Sequence, residues 1–229
     1  MRCSCRACSP NCAADRAAVL RLFYSPGAVS LVPHIAIEES GAAFEAVRVA
    51  IEEGAHHQPN YLRVNPRGLV PALEADGRVI AETPAILMFI GHRFPKSGLL
   101  PLDDPFALAR VQELLSFFAS SVHPGFARLF RAACSSWGGA LPGAMVEEDR
   151  AILSVFFGDI EALLSRGEWL LGDRYSVADG YPLNFMRWAR RQKFDTARYP
   201  HWTAHAGRMT GRPAVRRAIA REGLDRSEF

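Results

Sequence analysis

Two hydrophobic rhythms divide this chain. From Arg21 to Phe94 short apolar runs alternate with helical stripes, whereas beyond Pro105 the helical period is continuous. Arg21 to Tyr24 predicts a strand, Ser25-Pro26-Gly27 a turn, and Leu31 and Ile35 with their apolar neighbours a helix ended by Ser40-Gly41. Phe44, Val47 and Val49 give a second strand, completing a βαβ unit. Glu52 to Gln58 is polar and predicts a surface turn. Tyr61, Leu62 and Val64 suggest a short irregular helix, and Asn65-Pro66-Arg67-Gly68 a turn. Leu69 to Leu73 follows as a strand, joined through Asp76-Gly77 to a return strand over Arg78 to Ile80. Ile86, Leu87, Phe89 and Ile90 then line one face of a helix over Glu82 to Phe94.

Residues 96–105, proline-rich and flanked by Phe94-Pro95, predict a linker. Past it, Val111, Leu114, Leu115 and Phe118 form a stripe continued by Val122, Phe126 and Leu129. Ser135 to Gly143 interrupts the pattern, and Ile152, Phe156, Ile160 and Leu163 resume it. Ser176 and Asp179 have capping-box spacing, and two further helices are expected from Pro200 to Met209 and Pro213 to Arg221. The expected fold class is α/β plus all-α: a βαβ-α-ββα unit over 19–95, then a helical domain over 106–229.

Composition adds exclusions more than assignments. A length of 229 residues suits one or two compact domains. A net charge of +3 is too small to imply nucleic acid or an anionic membrane as partner. No apolar run reaches the ~20 residues that span a bilayer, and the first residues lack a signal-peptide core, so a cytoplasmic location is expected. Cys3, Cys5, Cys8 and Cys12 crowd the start while Cys134 stands alone. Their spacing could hold zinc, but the separated pairs of a zinc knuckle are missing, and a disordered tail over 1–18 is the favoured reading; no metal is expected. His201 and His205 share a helical face without a third ligand. His34, after Pro33, is expected to be structural.

The strand, tight turn and helix start around Arg21 to Ser30 bring backbone N–H groups and a positive dipole end to one place, a site suited to an anion such as a thiolate. Motifs in order along the chain give this spot a context. LFYSPGAVSL (Leu22 to Leu31), NPRGLVPAL (Asn65 to Leu73), AETPAI (Ala81 to Ile86), VHPGFARLFR (Val122 to Arg131) and YSVADGY (Tyr175 to Tyr181) together resemble the glutathione transferase superfamily, most nearly its bacterial Beta class. The likeness runs in register from Arg21 to Leu224.

That resemblance implies a thioredoxin-like first domain, a helical second domain, glutathione as co-substrate and a two-fold homodimer. It implies a detoxifying transferase that conjugates the glutathione thiol to an apolar electrophile. The alternatives are a glutathione-dependent reductase or isomerase, or a non-catalytic glutathione-binding scaffold. It implies a cis bond at Val70-Pro71, whose backbone would pair with the cysteinyl unit, and a γ-glutamyl site at Glu82 and Thr83, residues that could equally just cap their helix. Ser116 and Ser120 match polar positions of the same pocket, and His56 and His57 the region of the glycyl carboxylate. His123 would reach over the thiol. The Beta-class cysteine position is Val29, which can form neither a mixed disulfide nor a hydrogen bond. Ser30, or simply a helix cap, and then Tyr24, are therefore the expected thiol donors, and Phe117, Phe118, Phe126 and Trp188 the expected electrophile pocket.

Overall fold

The computed structural model describes residues 20–132 and 142–229. The cysteine-rich start, Cys134 and most of the break before Gly143 lie outside the described residues. Four strands, β1 (Leu20–Tyr24), β2 (Phe44–Arg48), β3 (Ala72–Ala75) and β4 (Arg78–Ala81), form a mixed sheet in the order β2-β1-β3-β4. β1 runs parallel to β2 and antiparallel to β3, and β3 antiparallel to β4. The register is reinforced across the sheet face: Arg21 stands opposite Glu45 and Glu74 and bonds both, at 2.8 and 3.1 Å. Such cross-strand charge pairs add tenths of a kcal/mol each while penalising slipped registers.

One strand starts later than the sequence suggests. β3 begins at Ala72, not Leu69, because Pro71 has no N–H to donate to the ladder and the Leu69 carbonyl is taken by side chains. The chain between them carries a cis Val70-Pro71 bond.

Three helices accompany the sheet: α1 (Leu31–Ser40), α2 (Pro59–Leu62) and α3 (Thr83–Arg93). Six more follow: α4 (Pro105–Phe117), α5 (His123–Ala132), α6 (Gly143–Leu164), α7 (Gly180–Arg191), α8 (Pro200–Gly211) and α9 (Pro213–Arg221). The apolar stripe from Val111 to Leu129 is buried throughout. It does not run on one continuous α-helix, however: Phe118 to Val122 form a turn of π-helix between α4 and α5. Ser176 and Asp179 close the expected capping box ahead of α7, and Asp179 also accepts from Leu170 N–H at 3.0 Å and faces His205 Nε2 at 3.1 Å. The segment between the two halves is pinned, with Leu99 and Leu100 buried and the Leu99 carbonyl accepting from Val177 N–H at 3.0 Å.

The halves share one core. α1 is buried on nearly every side, including His34 and Glu38, as a helix must be when it has a sheet behind it and helices in front. α7 lies against it closely enough that a Cβ on Gly180 would fall 2.9 Å from Val32 Cγ1. Arg217 and Arg221 of α9 reach Glu38 at 2.6 and 3.2 Å, and Arg212 bonds Glu39 through both Nε and Nη2. The seam between the halves is thus apolar at its centre and charged at its rim, and the open end of that seam forms the site.

Candidate functional site

A cavity of about 810 Å³ opens between the C-terminal side of the sheet and the faces of α5 and α7, within the size range of small-molecule sites. Three backbone features meet in its first-domain wall. The first is the β1–α1 turn. Pro26 and Gly27 carry the chain round, Gly27 with φ +67°, and Val29 lines the cavity. Among the described residues the N–H groups of Val29 and Ser30 have no partner, as expected at a helix start. The second is the segment ahead of β3. Tyr61 Oη and Asn65 Nδ2 both donate to the Leu69 carbonyl, at 2.6 and 2.7 Å, fixing the segment, while the N–H and C=O of Val70 have no partner among the described residues. Burial pushes the Tyr61 hydroxyl up to about 12, so it remains a donor across the physiological range. The third is the start of α3. Glu82 adopts φ +70°, a left-handed conformation that costs a non-glycine residue about 1 kcal/mol or more; its carboxylate accepts from Arg67 at 3.0 Å, and Thr83 behind it is buried in the lining.

The helical domain supplies the other wall and also grips the turn. Glu222 Oε2 accepts from Gly27 N–H at 2.8 Å, and Arg187 Nη1 and Trp188 Nε1 donate to the Gly27 carbonyl at 3.1 and 2.9 Å. Glu222 Oε1 in turn meets His34 Nδ1 at 2.8 Å, with both side chains fully buried. Since His34 Nε2 has no partner, Nδ1 is the nitrogen that carries the proton to this carboxylate. Glu228 lies 2.7 Å from Arg187 Nε, an ion pair without hydrogen-bond alignment. A Cβ on Gly27 would fall 2.1 Å from Arg187 Nη1, so glycine is needed here for space as well as for φ.

The expected site residues divide accordingly. Val29, Val70, Pro71, Glu82, Thr83, His123 and Trp188 all line the cavity. Ser30 and Tyr24 do not. Ser30 is fully buried and its hydroxyl is spent on Ser25, accepting from the N–H and donating to the carbonyl, each at 3.1 Å. Tyr24 packs on His34 inside the core, and burial, followed by the nearby Glu222 charge, raises its pKa. Ser116 and Ser120 are also off the cavity. They are exposed and bond back to their own helix, to Gln112 and Ser116 carbonyls at 2.8 and 2.7 Å. Ala119, within the π turn, and His123, just after it, face the opening instead.

Among the expected aromatic wall, Phe118 and Phe126 are fully buried in the core, and Phe117 packs on Phe156 beside a second, smaller cavity. Phe130 takes their place, edge-on to Trp188 at 5.1 Å. His123 stands 5.4 Å from Trp188, and burial lowers its pKa to about 4, so it is neutral at pH 7. His56 and His57, their rings 3.9 Å apart, line the first-domain end; burial and then the His57 charge lower the pKa of His56. Arg187, Arg191, Asn65 and Tyr181 complete what sequence reasoning missed. The available signal is the spacing of Arg187 and Arg191, four residues apart around Trp188 and so on one side of α7. Among the described residues no group of three or more His, Cys, Asp or Glu side chains could hold a metal ion.

The family model of the glutathione S-transferase N-terminal domain matches residues 18–92, and that of the C-terminal domain residues 140–213. Glutathione S-transferase GstA of Escherichia coli O157:H7 is 33% identical over 207 residues, which is 90% of this chain and 100% of that protein. A sphingomonad glutathione S-transferase solved in complex with glutathione superposes with a TM-score of 0.80 at 36% identity, covering 90% of this chain and all of that one. A maleylacetoacetate isomerase of Pseudomonas aeruginosa is 28% identical over 191 residues, 80% of this chain and 87% of its own. The chain belongs to the glutathione S-transferase family.

Proposed function

We propose that the cavity binds glutathione along its first-domain wall and transfers the glutathione sulfur to an apolar electrophile seated against α5 and α7. The observation that carries this reading is the convergence of partnerless backbone at Val29 and at Val70, with the α3 start beside them, on one cavity. The Val70 N–H and C=O would pair with the cysteinyl unit as an added strand. Glu82 would meet the γ-glutamyl amine, and Thr83 with the α3 N–H groups its carboxylate. This seating brings the thiol to the start of α1. There the Val29 N–H and the positive end of α1 favour its anion, a role that falls to the backbone because the Ser30 hydroxyl is already committed and Tyr24 is out of reach. His123 is a neutral imidazole within the same cavity, able to donate one hydrogen bond to sulfur but not to supply a fixed positive charge at pH 7. With an aryl chloride the thiolate forms a C–S bond, chloride leaves, and the thiol proton goes to solvent.

Calorimetry at millimolar glutathione and conjugation of 1-chloro-2,4-dinitrobenzene test the reading together. Binding with turnover is expected, and Glu82→Gln or Thr83→Val should raise the KM for glutathione with little change in kcat. No binding at all would refute it. A second reading, glutathione as a recycled cofactor in isomerisation, is favoured by the similarity to an isomerase; it predicts turnover of a cis-enone with no net loss of glutathione. Binding without turnover of either substrate would identify a scaffold. Family resemblance further supports a cytoplasmic, detoxifying homodimer with domains over 19–95 and 106–229; sedimentation measures its mass. No described helix is long and apolar enough to cross a membrane.

A further inference from the structure

The charges around the cavity are sorted by wall. Its two lining carboxylates, Glu52 and Glu82, both belong to the first domain and are each paired with an arginine, Arg48 and Arg67. Among the described residues the helical-domain wall contributes no carboxylate to the lining, and its charged members are Arg187 and Arg191, one turn apart on α7 with Trp188 between them in sequence. Arg187 is committed, buried and bonded to Gly27 and facing Glu228. Arg191 is held more loosely: among the described residues its Nη1 donates to Glu228 Oε2 at 3.4 Å, the same oxygen that sits 2.7 Å from Arg187 Nε, and the rest of its guanidinium is left to the opening. More than half of the Arg191 side chain is exposed at the cavity mouth, beyond the apolar surface of Trp188 and Phe130.

We infer that the electrophile taken by this site carries an anionic group, most simply a carboxylate, on an apolar body, and that Arg191 reads that group. This rests on the proposed transferase reading and narrows it. The apolar body would lie on Trp188 and Phe130, with its reactive carbon toward the α1 start and its carboxylate toward α7. A guanidinium presents a planar fork that pairs two carboxylate oxygens at once, which a neutral wall could not match. Arg191 is a specificity residue in this scheme. It has no part in generating the thiolate.

The test compares wild type with Arg191→Gln, a change on an exposed side chain at the end of α7. Conjugation of 4-chloro-3-nitrobenzoate is measured against 1-chloro-2,4-dinitrobenzene. In parallel, calorimetry compares S-(4-carboxybenzyl)glutathione with S-benzylglutathione, which requires no turnover. The variant should lose about tenfold in kcat/KM and in affinity for the carboxylated ligands, the loss typical of one charge-assisted contact, and less than about twofold for the neutral ones. The wild-type preference for the carboxylate should also shrink as salt is raised. Equal losses for both ligand types, or no loss for either, would overturn the inference while leaving the transferase reading intact. Failure of the wild type to bind either conjugate would overturn both.

Discussion

Replacing Glu222 with alanine would unhook the β1–α1 turn from the helical domain. The carboxylate is fully buried and accepts two hydrogen bonds, from Gly27 N–H and His34 Nδ1, each at 2.8 Å. Alanine leaves both donors buried and without a partner, at about 1–3 kcal/mol each, for a total of about 2–6 kcal/mol. In a protein of this size 1 kcal/mol moves Tm by about 2–4 °C, so a mid-range loss of about 4 kcal/mol predicts a fall of about 8–16 °C. Glutamine provides the contrast. Its oxygen can still accept from Gly27 while its amide donates to His34 Nδ1, provided the imidazole moves its proton to Nε2, which has no partner in either case. Glu222→Gln should therefore cost about 1–2 kcal/mol, the difference between a charged and a neutral acceptor. Differential scanning calorimetry of the three proteins reads the stabilities, and kcat/KM for glutathione reads the turn. If alanine and glutamine lower Tm equally, the hydrogen-bond geometry is not what holds the turn, and the reasoning fails.

The remaining predictions concern neighbouring parts of the site. Gly27→Ala must place a methyl 2.1 Å from Arg187 Nη1 in a left-handed conformation; it should weaken glutathione affinity at least tenfold, about 1.4 kcal/mol, by calorimetry, while far-UV circular dichroism stays native. His123, with a folded pKa of about 4 against an unfolded 6.5, leaves the unfolded chain holding more protons between those values. Stability therefore falls as pH drops from 6.5 to 4, by about 3 kcal/mol from this group alone, and His123→Gln should flatten the Tm–pH curve over that window. The same shift predicts no inflection from His123 in log kcat/KM between pH 6 and 8, which a pH–rate profile checks. Tyr61→Phe should raise the KM for glutathione only slightly, since Asn65 still holds the Leu69 carbonyl. The Tyr61→Phe, Asn65→Leu pair should lose more than the two single variants combined, a coupling of about 0.5–3 kcal/mol in a double-mutant cycle.

Much of this architecture can be read from the sequence because its devices are local. Proline and glycine mark the β1–α1 turn, Asp76-Gly77 the hairpin, and Ser176 with Asp179 a helix start, each acting on residues within four positions. The part of the cavity wall built from the β1–α1 turn is legible for the same reason. Errors arise where a residue's partner is chosen by three-dimensional packing. A serine in a turn can point its hydroxyl at a ligand or fold it back, and Ser30 folds it back on Ser25. An apolar stripe does not distinguish core from cavity, so Phe118 and Phe126 read like pocket residues although both are fully buried. The π turn that contains Ala119 and precedes His123 leaves no mark in the hydrophobic period, because the stripe stays buried through it. Nothing near Gly27 announces that its hydrogen-bond partner lies 195 residues away.

That separation sets an order of assembly. The turn at Gly27 is among the earliest parts of the described chain to leave the ribosome, yet the groups that satisfy its N–H and C=O belong to α7 and to Glu222 just beyond α9. A nascent chain that has completed its sheet and first three helices still carries an unfinished turn. The site is the product of chain completion, and a fragment ending at Arg221 would display the first domain's wall without the grip that shapes it.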